Sequence, residues 1–447
     1  MRLSGATSVL VVAGLIVLCL GRIQAQDSAA ESLTLDQAIA VALRNNHAIR
    51  VAQLAVEKSD DEISAAKTLR LPSVHGFSLV SGNLATNDVR VPNLANELFP
   101  GLGPFFSLSV ERKPTALFGA FVIAPLTQQY RIGLRLKVER LSREVAQAKL
   151  RQQQNETIAQ VKTAYYAVLQ TQSALTSVQD ALESYRELDK ITGAYVVQHV
   201  ALRADHLTVQ TRLARVQYEE LELSSRLATQ KEQLNSLLGR EVGVPFEVAA
   251  TLELAAFETE LTEARKAAVE RRPELQQARL LVQQAALDRR ITKSHYLPDV
   301  SAGFTYMTAR NFNESVPKNF ANVGVAVSWE IFDWGRKKHE LAAKDKAIEQ
   351  ASAGLKETED QVLIDVGDKL RKLQLAGQAL RVARLSEDSA KENLRVSTGR
   401  YKFQAVLLSD VLQSQASLAE AHHEYQRALL GFWTAKAEFE KALGEDK

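Results

Sequence analysis

The sequence predicts a mostly helical protein with four membrane-type β-strands, built by using one unit of helix, β-hairpin and long helical hairpin twice. Three observations lead there. Sequence features repeat in order: Leu71-Pro72-Ser73-Val74 recurs as Leu297-Pro298-Asp299-Val300, Thr192-Gly193 with Tyr195 recurs as Thr398-Gly399 with Tyr401, and Leu207, Gln210, Leu213 and Gly239 recur as Leu412, Gln415, Leu418 and Gly444. The ten prolines avoid the stretch 126–244 and everything after 317. Two segments alternate apolar and small or polar residues with period two. A repeat of about 200 residues is too long for a solenoid unit, so two copies of one block stand side by side.

The chain begins with Arg2 and an apolar run from Ser8 to Leu20. That run is too short to span a bilayer. It fits a secretory signal peptide over residues 1–25, with Ile23-Gln24-Ala25 as the cleavage site. Leu18 before Cys19 argues against lipidation. Cys19 leaves with the signal, so the mature chain has no thiol chemistry. Residues 1–25 carry Arg2 and Arg22 and no acid, so the remaining basic and acidic residues balance. A neutral chain gives no electrostatic case for nucleic acid.

The first repeat spans 26–250 and the second 251–447. Each opens with a short and a medium helix, near 34–46 and 47–70, then 261–271 and 274–296. Strands are expected next, at about 72–82 and 116–125 and at about 298–308 and 320–332. In the second copy the apolar sets are Val300, Ala302, Phe304 and Tyr306, then Val323, Val325, Val327, Trp329 and Ile331. Period two marks strands, and these are long enough to cross a bilayer when tilted. Val325, Val327 and Trp329 are expected to face lipid or its interface, and Ser328 to face away. Tyr296, Tyr306, Phe320, Trp329 and Trp334 fall toward the strand ends, where an aromatic girdle sits. The Pro/Gly-rich stretch 82–114 reads as a long loop.

Long helical hairpins follow, about 127–238 and 333–443. Proline interrupts helix interiors; the proline-free stretches are rich in helix-forming residues. Each leading helix would run about 100 Å. In the last helix Val411, Leu418, Tyr425, Phe432 and Phe439 fall seven apart, a coiled-coil seam; His206, Leu213, Glu220, Leu227 and Leu234 take the equivalent places in the first copy. Residues 239–260, with Gly243 and Pro245, join the copies.

Four strands cannot close a barrel, since the smallest transmembrane barrels have eight and open edges are not tolerated in lipid. Strands must be pooled, eight from two chains or twelve from three. A periplasmic coiled-coil adaptor without a pore would explain the signal and the helices, but not the aromatic-bounded strand pairs. An enzyme is a poor reading. His422-His423 point about 100° apart on a helix, His339-Glu340 lacks the second His of a zinc motif because Ala343 stands there, and no nucleotide loop or nucleophile elbow is present. No metal and no cofactor are expected.

Nearly all of the mature chain, from Leu33 to Gly444, resembles the TolC-like outer-membrane efflux and secretion channels. The carrying residues are the two Leu-Pro-x-Val strand starts and the junctions Pro125-Leu126-Thr127-Gln128 with Arg131 and Ile331-Phe332-Asp333-Trp334-Gly335-Arg336. The tip from Tyr401 to Leu412 and the closing Leu238-Gly239 and Leu443-Gly444 also match. The resemblance implies a homotrimer with one twelve-stranded outer-membrane barrel, continued by a helical barrel through the periplasm. It implies a duct for a tripartite efflux or type I secretion system, with a periplasmic adaptor, an inner-membrane pump of RND or ABC type and outer-membrane lipids as partners. It also implies a gate at the hairpin tips. The matching positions are Asp205 and Asp410, with Tyr401 placed to bond to Asp205. His199 and Gln404 stand where relatives often have Gly. Val406 and Gln413 replace a basic and a second acidic residue, which weakens the ring. Both aspartates also suit helix capping.

Overall fold

The computed structural model describes residues 31–82, 84, 87–92, 105–110, 114–199, 202–249, 260–311, 318–402 and 405–445. The signal segment 1–25 lies outside them, as does Gln404. In chain order the elements are β1 (Glu31–Leu33), α1 (Leu35–Asn45), α2 (His47–Thr68), β2 (Ser73–Gly82), β3 (Asn87–Pro92), β4 (Phe105–Val110), β5 (Pro114–Pro125), α3 (Gln128–Val197), α4 (Arg203–Leu238), β6 (Phe246–Val248), α5 (Leu261–Arg271), α6 (Pro273–Ser294), β7 (Asp299–Arg310), β8 (Asn319–Ser328), α7 (Arg336–Lys402) and α8 (Leu408–Leu443). The helices lie within three residues of the expected bounds, the largest gap being at Arg336 against 333. Among the described residues, no helix is long and apolar enough to cross a membrane.

Two compact units divide within α1, between Ala42 and Leu43, within α3, between Gln160 and Val161, and again between Ala256 and Phe257. In the first, β1 pairs in parallel with β6, Glu31 opposite Phe246 and Leu33 opposite Val248. The core there joins Leu33, Ala38, Val161, Val168, Leu234, Leu238 and Phe246. Tyr165 belongs to it and donates one hydroxyl, within 2.9 Å of Leu33 O and 2.8 Å of Ala249 O. Burial raises the pKa of that phenol. The β1–β6 pair has no counterpart in the sequence reading, because three residues per strand are too few to show a period.

The second unit holds a four-stranded antiparallel sheet in the order β2-β5-β7-β8. Strands from both repeats pair at its centre, Val122 opposite Phe304 and Ala124 opposite Ala302. The stretch read as a long loop carries its own two-stranded ladder, β3 with β4, Val89 opposite Leu108. That is a correction: the prolines and glycines frame the strands rather than excluding them.

Helix α7, of 67 residues, runs about 100 Å and packs along α8. Val411, Phe432 and Phe439 are buried in that seam. Both return helices end on a left-handed glycine, Gly239 at φ 67° and Gly444 at φ 74°. At Gly444 an added Cβ would also come within 3.1 Å of the Arg271 backbone, so both space and backbone call for glycine.

Candidate functional site

Opposed residues in a ladder share a face of the sheet. One row crosses all four strands as Val74, Val122, Phe304 and Val323, and the next as Gly76, Ala120, Tyr306 and Ala321. Val325 lies opposite Ala302, and Val327 opposite Val300. This face is apolar over the half of the sheet next to the helices; toward the other strand ends it carries Ser78, Thr308, Arg310 and Asn319. The other face has rows His75, Phe121, Thr305 and Asn322, then Phe77, Gly119, Met307 and Phe320. Phe77 lies over Gly119, where an added Cβ would stand 2.5 Å from its ring. One face suits lipid and the other a wetter lumen. Val325 and Val327 fall on the apolar face and Ser328 on the other, as the alternation requires. Phe320, assigned to the aromatic girdle, falls on the face opposite Tyr306. Tyr296, Trp329 and Trp334 stand exposed beyond the periplasmic strand ends.

The strand-to-helix junctions are tightly built. After Pro125, the Leu126 and Thr127 amides donate to Val300 O at 3.0 and 3.3 Å. The Thr127 hydroxyl donates to Pro298 O at 2.9 Å and accepts from the Val300 amide at 2.8 Å. Arg131 reaches both carboxylate oxygens of Asp299, at 2.9 and 3.0 Å. The first repeat's helix is thereby tied to the second repeat's strand. Arg131 and Thr127 were legible as parts of the junction motif; Arg131's partner Asp299 was not assigned to it, though Asp299 departs from Ser73 at the repeated position.

At the second junction Trp334 and Gly335 take left-handed conformations, φ 56° and 86°. They turn the chain so that Asp333 accepts from the Gly335 amide at 3.0 Å and the Lys337 amide at 2.9 Å. Those bonds, the Lys337 amide above all, lower the pKa of Asp333. Arg336 pairs with Glu330 at 2.5 Å and Glu340 at 2.7 Å. Asp333→Ala removes the cap of α7 and is expected to lower the melting temperature of the assembled protein. Asp333→Asn should recover most of the drop.

At the tip of the second hairpin, Asp410 stands in the first turn of α8 and its carboxylate accepts from the Leu407 amide at 3.1 Å. Tyr401 is half-buried in the last turn of α7. At the first tip, Asp205 stands half-buried in the first turn of α4, which has no side-chain cap. His199 is exposed at φ 56°, the left-handed conformation that favours glycine. Tyr401 and Asp205 belong to separate compact units. Asp410 thus serves as a local cap, while Asp205 has no side-chain hydrogen bond among the described residues.

Each hairpin also carries a histidine against an acid. His206 lies 3.6 Å from Asp189 and 3.2 Å from the Thr192 hydroxyl. His422 lies 2.8 Å from buried Glu387, which Lys391 also meets at 2.8 Å. Burial pushes the Glu387 pKa up, but the bonds from His422 and Lys391 outweigh it and hold the carboxyl below its ordinary 4.5. A depressed folded pKa gives stability that is present above the ordinary value and lost as pH falls through the folded one. The melting temperature is therefore expected to drop on acidification below pH 4.5, and less steeply in Glu387→Gln. Equal slopes would overturn this.

The sequence profile of the outer membrane efflux protein family matches residues 38–240 and 264–445. The chain belongs to the outer membrane efflux protein family. It is an outer-membrane efflux channel reaching into the periplasm, and the family comprises channels, not enzymes. A membrane protein from Pseudomonas aeruginosa shares the fold at TM-score 0.75 and 17% identity, covering 93% of this chain and 91% of that one. The Campylobacter jejuni outer membrane channel CmeC matches at TM-score 0.73 and 14% identity, covering 92% and 85%. The open-state Neisseria gonorrhoeae channel MtrE matches at 0.70 and 18%, covering 92% and 89%. Comparison with curated protein sequences returns no match.

Proposed function

We propose that three copies of this efflux channel close one twelve-stranded barrel, and that the assembly is the exit duct of a tripartite efflux or type I secretion system. The carrying observation is the four-stranded sheet, apolar on one face over the half next to the helices, with strands β2 and β8 at its edges. Edges left open in lipid cost several kcal/mol per unpaired group, so β8 of one copy pairs with β2 of the next. The long hairpins then extend as a periplasmic tube. Their tips meet a periplasmic adaptor and an inner-membrane pump of RND or ABC type, and the pump supplies the energy. Mass measurement in mild detergent should give three copies and no folded monomer; a monodisperse folded monomer overturns the reading.

Asp205 and Asp410 line the periplasmic mouth in this arrangement, where charged rings set cation preference. Asp410→Ala is expected to lower cation over anion selectivity in planar bilayers without loss of assembly. Unchanged selectivity in both Asp410→Ala and Asp205→Ala would leave these residues as helix-end groups only.

A further inference from the structure

We infer that the periplasmic rim of the barrel is a docking surface for anionic phospholipid headgroups of the adjoining leaflet; this rests on the barrel reading above. Four chain segments leave or enter the sheet at its periplasmic end, 63–72, 126–135, 289–298 and 329–338. Their charges are strongly one-sided, although the mature chain is neutral.

The only carboxylates in those segments are Glu330 and Asp333, and neither is available. Glu330 is held by Arg336 and Lys337, and Asp333 accepts the first amides of α7. Asp299, the first residue of β7, is held by Arg131. The cations exceed these partners. Lys67, Arg70, Arg135, Arg290, Lys293 and Lys338 are all exposed, and none has an ion pair among the described residues. Within the same segments Arg289 does find an acid, Asp345, and the six cations named above are what remains. A cation surplus this dense at the strand ends, with two carboxylates in four segments and both engaged, calls for an anion from outside the chain.

The neighbours of these cations identify the anion. Tyr130, Tyr296, Trp329, Phe332 and Trp334 are exposed in the same segments, Trp334 by 89%. Aromatic side chains with one apolar and one wet end settle at the headgroup level. The apolar rows of the sheet end immediately above them. Hydrocarbon, aromatic belt and cations thus follow one another along the strand direction, as a phospholipid presents acyl chain, glycerol and phosphate. Lysine and arginine stems reach back toward the interface, and cations there gain from anionic lipid within a Debye length.

The test uses the full-length protein reconstituted in vesicles, in a Trp433→Phe background. This removes the buried tryptophan and leaves Trp329 and Trp334, the remaining two of three. Brominated phosphatidylglycerol and brominated phosphatidylcholine are compared as quenchers. The expected result is that both quench, and that phosphatidylglycerol is preferred by on the order of tenfold at low salt. The preference should fall severalfold in high salt, and also in the quadruple variant Arg135→Gln, Arg290→Gln, Lys293→Gln, Lys338→Gln. Equal quenching by both lipids, or a preference that survives the quadruple variant in a normally assembled protein, overturns the headgroup surface while leaving the barrel intact. Absence of quenching by either lipid instead overturns the barrel reading. Loss of anion permeation in the quadruple variant, with lipid preference unchanged, would assign the cations to the lumen and overturn the proposal.

Discussion

Val323→Arg should prevent assembly of the barrel. Val323 occupies the middle of β8, 82% exposed in the single chain, in the apolar row with Phe304, Val122 and Val74. An arginine at mid-depth on the lipid face costs about 2–4 kcal/mol, and threefold symmetry places one in each copy. Val327→Arg lies on the same face, but Val327 is one residue from the last ladder position, Ser328 opposite Asp299. Close to the interface, where the side chain can snorkel to headgroups, the cost falls to about 0–1 kcal/mol. Asn322→Arg, on the opposite face beside Thr305, should assemble. Heat-modifiable migration on gels reads all three. If Val323→Arg assembles while Asn322→Arg does not, the two faces have been assigned the wrong way round.

That set of variants shows what periodicity carries and what it does not. Alternation across 323–331 fixes the face, because successive side chains point to opposite sides. It does not fix depth. Trp329-Glu330-Ile331 continues the period-two pattern beyond Ser328, where pairing ends, so the strand expected to reach 332 stops four residues earlier and Val327 lies near its end. The helices were legible to within a few residues because proline is absent from their interiors and Gly239, Gly335 and Gly444 mark three of their ends. The junctions were legible as motifs, but their mechanism was not. Asp333 and Gly335 act through two left-handed residues in succession, and Arg131 acts through a carboxylate in the other repeat. The β1–β6 pair joins residues more than two hundred positions apart through three residues on each side, which leaves no local signal. Nor does any pattern mark Arg272, which reads as an ordinary helix-end arginine before Pro273.

Arg272→Met is expected to be the most destabilising change within the helical part of the second unit. Arg272 links α5 to α6 and is only 9% exposed. Its Nε donates to Ala442 O at 2.8 Å, satisfying a carbonyl in the last turn of α8 that has no partner further along the helix. One terminal nitrogen donates to Glu274 at 3.3 Å, and the other bonds the Asp365 carboxylate on α7. A single guanidinium therefore ties the last turn of α8 and the first turn of α6 to the middle of α7, beside a cavity of about 290 Å³ lined also by Lys369, Glu438 and Lys441. Methionine keeps much of the stem but leaves one carbonyl and two carboxylates behind, and removing one member of a buried ionic group costs about 3–5 kcal/mol. Asp365 retains 39% of its side-chain exposure, so water screens part of the loss and the lower end of that range is expected. Arg272→Lys should fall between, since it keeps the charge but not the planar fork that serves three acceptors. Adding Asp365→Leu to Arg272→Met should recover part of the loss, because the uncompensated acid leaves with its partner. Thermal unfolding of the assembled protein, followed by helical circular dichroism, ranks the four proteins. A melting temperature for Arg272→Met equal to wild type would mean that seam packing, and not this ionic tie, holds the helix ends together.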